Sequence, residues 1–523
     1  MTGGGKAESV RQPAPRNLNP HAIAFLLGAL SVAGYAPFHL FPLPALTLAA
    51  LFVLWHRAGT TRAAAALGLA YGLGLFLFGV SWVYVSLHDF GAMPAPVAVG
   101  VTALFCAFLA LFPAATAALC ARPSLPAAVR YGLLAPAVWT LAEWTRSWIF
   151  TGFPWLALGY SQVPSSFLAG YAPVLGIPGV TLATAASAGL LAGAWLAASR
   201  VPHGGRSVRA FILHPSSLAL LALWIGGLAL RQVEWTHPVG EPVRASLLQG
   251  AVPQDLKWRE DRVLATLDTY RSLALRSDST LIILPETALP LFLDQVPRDY
   301  LEGLAGHAKA MGGDILIGIP ERLANGEYFN SVISLGAAPS QTYRKSHLVP
   351  FGEFIPLRPV LGSIVGALAI PLQDFSRGGP AQRPLAVAGQ RVAVNICYED
   401  AFGEEIIRQL PEATLLVNVS NVAWFGRSIA PAQHLQISQA RALETGRSLL
   451  RATNTGVTAA IGPDGRVLAE APQFALATLT QTVRGYSGAT PYVRTGNAAA
   501  LGVCVMLIVA AAWRARRPAR SAA

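Results

Sequence analysis

Charge is what this chain has least of. Asp, Glu, Lys and Arg make up only 13% of its 523 residues, against 53% hydrophobic, which excludes an ordinary soluble protein and points to a membrane protein. Lysine is the scarcest charge: Lys6, Lys257, Lys309 and Lys345 are the whole set, and arginine supplies the rest of the positive charge. A lysine kept in so arginine-rich a chain is a candidate for a specific role, because the two cations are not interchangeable. There are four cysteines and no CxxC pair, so no zinc site of that type is expected. Cys106, Cys120 and Cys504 lie in or beside apolar runs, which leaves Cys397 alone in the polar part, unable to form a disulfide within it. The net charge of +12 does not indicate nucleic acid, since the basic residues fall mostly in short loops and tails beside apolar runs.

The apolar residues crowd residues 20–232 and 494–513, while about 240–490 has a soluble composition. Residues 1–19 form a polar N-terminal tail. A bilayer core of about 30 Å needs about 20 helical residues, and candidate spans lie near 22–38, 43–56, 64–87, 96–120, 131–149, 173–198 and 215–232, with a last one at 494–513. With the N-terminus in the cytoplasm, the inside segments hold Lys6, Arg11 and Arg16, then Arg57 and Arg62, Arg122 and Arg130, and Arg200, Arg206 and Arg209. The outside loops are nearly bare apart from Arg146, as the positive-inside rule requires. Seven crossings in 20–235 put the 240–490 domain outside, and an eighth returns the basic tail 514–523 to the cytoplasm. Glu143 and Arg146, three apart in the fifth run, are placed to pair on one helix face.

In the polar domain, short β-rich runs alternate with helical stretches, the pattern of α/β layers. Val243 to Gln249, Thr280 to Leu284, Asp314 to Ile319, Ser331 to Leu335, Arg391 to Ile396 and Leu415 to Val419 read as strands. About 256–276, 296–311 and 431–448 read as helices, with a shorter one expected from Phe402 to Leu410. Gly462-Pro463-Asp464-Gly465 is a hairpin-turn signal.

Three strand ends carry chemical groups: Glu286 in Leu284-Pro285-Glu286-Thr287, Lys345 in Tyr343-Arg344-Lys345-Ser346-His347, and Cys397 in Asn395-Ile396-Cys397-Tyr398-Glu399-Asp400. Singly, each has a bland reading: a solvated loop acid, a surface charge, a small buried thiol. Together they fit one mechanism. A thiol with an ordinary pKa of about 8.5 needs a base to become a nucleophile, and a glutamate can serve. Attack on a carbonyl makes an oxyanion that a fixed ammonium stabilises.

These motifs resemble the nitrilase superfamily, with its Glu-Lys-Cys triad on an αββα sandwich. With the membrane helices and Val349-Pro350-Phe351-Gly352-Glu353, the chain is similar to the apolipoprotein N-acyltransferase branch. That similarity includes Gly34-Tyr35-Ala36-Pro37-Phe38, the Ser81-Trp82 run, Gly152-Phe153-Pro154-Trp155, and Arg451-Ala452-Thr453-Asn454. The resemblance implies a base at Glu286, an oxyanion-stabilising lysine at Lys345 and a nucleophile at Cys397. It makes Glu353 a supporting glutamate, sets Tyr398 and Glu399 beside the nucleophile, and matches Trp258 and Trp424 to tryptophans near the entrance and on a mobile arm. Val422 departs from the family, which often has Asp there. The resemblance further implies ping-pong acyl transfer through a Cys397 thioester, from a phosphatidylethanolamine-like phospholipid to the free α-amino group of a lipoprotein's diacylglyceryl-cysteine. No metal or cofactor is implied, and the expected form is a monomer in the bacterial inner membrane with the catalytic domain on the extracytoplasmic side.

Two rivals differ in chemistry. A membrane-tethered nitrilase-type amidase would share the triad and hand the acyl group to water, but a single anchor would serve it. A non-catalytic transporter or scaffold would not need the three groups, and the apolar runs offer few polar residues for a solute path. A requirement for a lipid acceptor with a free amine separates them.

Overall fold

The computed structural model describes residues 19–121, 125–199, 212–356 and 375–516. The N-terminal tail, and the expected inside charges Arg122, Arg200, Arg206 and Arg209, lie outside the described residues. Among the described residues, four helices are long and apolar enough to cross a membrane: Thr61–Gly79, Ala95–Cys120, Phe167–Ala198 and Ala498–Arg516. Shorter apolar helices, Pro20–Ser31, Pro42–Arg57 and Pro215–Leu230, pack among them. Two glycines let the first and third apolar runs touch backbone to backbone: a Cβ on Gly28 would lie 1.9 Å from the Tyr71 carbonyl oxygen, and one on Gly74 would lie 2.0 Å from that of Phe25. Such small-residue contacts replace the hydrophobic drive that lipid removes.

Three expectations for this part change. The third run stops being regular at Gly79 and continues as short turns through Phe90. The fifth opens with a π-helical turn, Arg130–Leu134, before the regular Ala135–Arg146. Glu143 and Arg146 form no ion pair within 4 Å, because each is drawn to the chain that follows their helix. Glu143 accepts from the Leu158 amide at 2.9 Å, the Trp139 indole at 2.9 Å and Thr181 Oγ1 at 3.0 Å. Arg146 donates to the carbonyls of Phe153 at 2.5 Å and Trp155 at 2.7 Å.

The polar domain is two stacked six-stranded sheets. The first runs β12-β1-β2-β3-β4-β5 and the second β11-β10-β9-β8-β7-β6. Its strands are β1 His237–Gln249, β2 Leu281–Ile283, β3 Asp314–Arg322, β4 Tyr328–Gly336, β5 Thr342–Arg344, β6 Leu385–Val387, β7 Gln390–Ile396, β8 Leu415–Ser420, β9 Leu449–Thr453, β10 Ala459–Ile461, β11 Val467–Glu470 and β12 Ala477–Ser487. Strands β1-β2-β3 and β7-β8-β9 are parallel, and both their faces are covered, which is why their sequences read as nearly unbroken apolar runs. Alternation sorts the side chains. Leu281 and Ile283 face the second sheet's Val392, Val394 and Val417, while Ile282 packs outward on Tyr270 and Leu304 from the helices Glu260–Leu275 and Arg298–Ala310. The helix Ala430–Thr445 covers the second sheet, so the layers are α-β-β-α, as expected.

The helix expected over Phe402–Leu410 is only one α-turn, Gly403–Ile406, followed by a 3-10 turn. The helix expected to reach 448 ends at Thr445, where Gly446 takes the left-handed conformation (φ 63°) and Leu449 starts β9. Six of the described strands went unread: β9 and β10 are short and buried on both faces, without the period-2 alternation, whereas β5, β6 and β11 alternate over only three or four residues and β12 alternates along eleven.

The Ala430–Thr445 helix is also the seam with the membrane part. Gln433 Nε2 donates to the Gly79 carbonyl and its Oε1 accepts from the Trp82 indole, both at 3.0 Å. Gln436 Oε1 accepts from the Ala36 amide and its Nε2 donates to the Val163 carbonyl, also at 3.0 Å. Glu444 accepts from the Ile177 amide at 2.6 Å. Buried polar side chains of this kind persist only when paired.

Gly318 in β3 packs directly under the segment that carries Glu286: a Cβ there would lie 2.2 Å from the Pro285 carbonyl oxygen and 2.8 Å from Glu286 Cα. We expect Gly318→Ala to destabilise the chain by about 1–3 kcal/mol. Gly306→Ala, in an exposed helical position with open space around it, should be neutral or stabilising by up to about 1 kcal/mol. Thermal unfolding of the two variants in the same detergent checks the contrast.

Candidate active site

The parallel strands of both sheets deliver their C-terminal ends to one place. Glu286 follows β2, Cys397 follows β7, Asn421 follows β8, Asn454 follows β9, and Lys345 follows β5. Lys345 is 1% exposed. Its Nζ lies 2.9 Å from Glu353 Oε1 and 3.3 Å from Glu286 Oε1. Asn330 Nδ2, from β4, bridges the same two carboxylates at 2.8 and 3.0 Å. The second Glu286 oxygen accepts from the Asn421 amide at 2.7 Å, and the second Glu353 oxygen from the Val349 amide at 2.8 Å.

Burial acts against every charge here, and the cluster reverses it for two of them. Burial would raise Glu286, but Lys345, Asn330, Lys257 and the Asn421 amide outweigh it and hold the carboxyl below its ordinary range. Burial would discharge Lys345, but Glu353 and Glu286 outweigh it and hold the ammonium charged. Cys397 goes the other way: burial, then the charge of Glu286, pushes its thiol up to about 12 despite Lys345. At rest the proton is on sulfur and the carboxylate is bare.

Cys397 has φ 53°, a left-handed conformation that is costly for a residue with a Cβ. Two groups hold its carbonyl: Asn418 Nδ2 donates at 3.3 Å and His434 Nε2 at 3.1 Å. A carbonyl can only accept, so His434 carries its proton on Nε2. Burial and the Arg451 charge push this imidazole well below its usual pKa, keeping it neutral. Beneath lies a buried network in which Arg451 donates to Asn418 Oδ1 at 2.6 Å and to Asp400 at 3.2 Å, and Ser438 donates to Asp400.

The other sequence-derived residues separate. Glu399 is buried and ties the turn after the cysteine: it accepts from the amides of Ile396 at 2.7 Å, Ser346 at 2.6 Å and His347 at 3.1 Å, and from the Tyr343 hydroxyl at 3.0 Å. Burial pushes its carboxyl up to about 7 against those donors. Tyr398 turns to the membrane part, where its hydroxyl donates to the Gly152 carbonyl at 2.6 Å and its ring stacks on Trp155. Trp258 and Trp424 are exposed, and Trp424 meets Phe90 edge-to-face. Asn330, Asn421, Asn418 and His434 were missed by sequence reading, since nothing local distinguishes an asparagine in or just after a strand, or a histidine within a helix. Lys257 carried a signal, its rarity.

Residues 27–190 match the family model described as Apolipoprotein N-acyltransferase N-terminal domain, and residues 244–492 match Carbon-nitrogen hydrolase. The chain is 52% identical over 498 residues to the apolipoprotein N-acyltransferase of Nitrosomonas europaea, covering 94% of this chain and 98% of that one. It is 45% identical to that of Chromobacterium violaceum, covering 94% of each. Among solved structures, a carbon-nitrogen hydrolase from Helicobacter pylori aligns with 46% of this chain and 89% of its own at 16% identity and a TM-score of 0.35.

Glu399→Gln keeps the shape but leaves one acceptor oxygen where four donors converge. At about 1–3 kcal/mol for each buried donor left unpaired, we expect a clearly lower thermal unfolding midpoint. An unchanged midpoint would show that these donors find other partners.

Proposed function

The chain belongs to the apolipoprotein N-acyltransferase family, and from that membership we propose how its own residues carry out the acyl transfer. Supporting this reading above all is the buried cluster of Glu286, Lys345, Asn330 and Glu353 facing a cysteine held at a strained strand end. Cys397 is the nucleophile, Glu286 the base and Lys345 the oxyanion partner. The proton rests on sulfur, so it passes to Glu286 as sulfur attacks the ester carbonyl of a phospholipid. Negative charge moves from Glu286 to the carbonyl oxygen, and Lys345, already poised between two carboxylates, follows it with little rearrangement. Collapse breaks the ester bond. The lysophospholipid alkoxide takes the proton from Glu286, and Cys397 keeps the acyl chain as a thioester.

In the second half, the neutral α-amino group of a diacylglyceryl-cysteine attacks the thioester carbonyl. Glu286 takes a proton from nitrogen and returns it to sulfur as the C–S bond breaks, which leaves an amide and the starting thiol. Glu353 holds Lys345 together with Glu286, and Trp258 and Trp424 flank the approach from their exposed positions. The donor is a phosphatidylethanolamine-like lipid, and the working unit is a single chain. We place both termini in the cytoplasm, with eight crossings in 20–235 and 494–513, and the 240–490 domain on the extracytoplasmic side of the inner membrane. The arginine distribution supports that orientation.

Incubating the purified chain with phospholipid and no acceptor should leave an acyl mass on Cys397, released by neutral hydroxylamine and chased by a diacylated lipopeptide. Clearance by water alone would favour hydrolase chemistry. Cys397→Ala should fold and take no acyl group, and turnover surviving there rejects the mechanism. Lys345→Arg keeps the charge but brings a larger planar group to a closed site. We expect acylation slower by about 10²–10³-fold, the usual cost of losing an oxyanion donor, and a normal rate would overturn the role given to the compact ammonium.

A further inference from the structure

A second lysine reaches this cluster from the opposite side. Lys257 is 2% exposed, although Trp258, next to it, is 53% exposed. Its Nζ lies 2.5 Å from Thr287 Oγ1 and 3.3 Å from the main-chain carbonyl oxygen of Glu286. Thr287 has φ 45°, a conformation costly for a β-branched residue. No carboxylate lies within ion-pair distance of Lys257 among the described residues. Burying an ammonium is costly unless it is compensated, and two neutral oxygens are modest compensation.

The segment that carries Lys257 is itself anchored to the site. The Val252 amide donates to Asn454 Oδ1 at 2.9 Å, Asn454 Nδ2 donates back to the Val252 carbonyl at 2.7 Å, and Asn421 Nδ2 donates to Gln254 Oε1 at 2.9 Å. Asn421 is the residue whose amide binds the Glu286 carboxylate. One connected set of bonds therefore fixes the Glu286 side chain through Asn421 and its main chain through Lys257.

We propose that Lys257 is a positioning residue for acyl transfer: it locks the strained Glu286–Thr287 backbone and adds a second positive charge facing the carboxylate and the nucleophilic sulfur. The proposal rests on the roles given above to Glu286 and Cys397. The titratable groups whose charge acts on Lys257 are Glu286 after β2 and Cys397 after β7, while Lys345 and Glu353 complete the charged cluster with Glu286. Burial brings the Lys257 ammonium down to about 8, against the pull of Glu286 and Cys397. Below that pH its charge favours a negative sulfur, and above it the charge is gone.

The test is the rate of Cys397 acylation by phospholipid vesicles, measured by mass spectrometry from pH 6.5 to 9.5 on the full chain in detergent. One pKa unit on the sulfur is tenfold in thiolate, so Lys257→Met should be slower by about tenfold at pH 6.5, with the gap narrowing towards pH 9.5 as the wild-type lysine loses its charge. Lys257→Arg keeps its charge throughout, so its rate relative to wild type should rise across pH 8. A Lys257→Met gap that is absent at pH 6.5, or equal at both ends, overturns the electrostatic role, because a purely structural anchor acts alike at every pH. If Lys257→Met does not fold, Lys257→Arg decides: a constant ratio to wild type across pH 8 overturns the proposal. Acylation of Cys397→Ala or Glu286→Gln at the wild-type rate would instead refute the parent mechanism, whatever the Lys257 variants do.

Discussion

The site depends on one buried ion cluster, an ammonium held between two carboxylates with an asparagine amide joining them on the other side. Lys345 would lose its charge alone in this interior, and Glu286 would gain a proton alone. Lys345 keeps its charge because Glu353 and Glu286 are there, and Glu286 keeps its own chiefly because Lys345 is. Breaking such a cluster by removing one member strands the rest, which costs far more than the cluster adds when whole. The four residues come from four different segments, so the cluster also requires that β2, β4, β5 and the Val349–Glu353 turn arrive in register. A small shift within the first sheet would be felt first at these contacts.

The triad was legible in the sequence because each member sits at the end of an apolar strand or beside a turn, and because cysteine and lysine are rare enough here to be noticed. The α/β layers were legible for the same reason. Asn330, Asn421, Asn418 and His434 were not, since their roles come from which strand ends meet in space. Tyr398 shows the limit in reverse. It follows the nucleophile in sequence, yet the left-handed turn at Cys397 sends its ring to Gly152 and Trp155 in the membrane part. The Glu143–Arg146 expectation failed similarly, because helix spacing describes who is near on one element and says nothing of the loop that folds back over both.

The helix Ala430–Thr445 explains a sequence that otherwise reads poorly. With Gln433, His434, Gln436, Gln439, Arg441 and Glu444 it has the composition of a surface helix, but these residues are buried. One side packs on the second sheet and the other on membrane helices: Gln433, Gln436, Arg441 and Glu444 reach partners in the membrane part, while His434 and Gln439 bond within the domain. Amphipathic periodicity fades when both faces of a helix are interior, and polar pairing takes over as the device that sets register.

Those crossing bonds have a kinetic consequence. Gln433, Gln436 and Glu444 bind backbone groups of the membrane part, and Tyr398 adds a fourth tie at Gly152. A domain bolted to its membrane part by these and further bonds cannot swing into bulk solvent to collect a molecule. Its reactants arrive by sliding along the bilayer, so the quantity that governs its rate is the number of substrate lipids per unit of membrane area. Diluting the membrane with inert lipid slows such a catalyst, whereas diluting the vesicles in buffer leaves it unchanged.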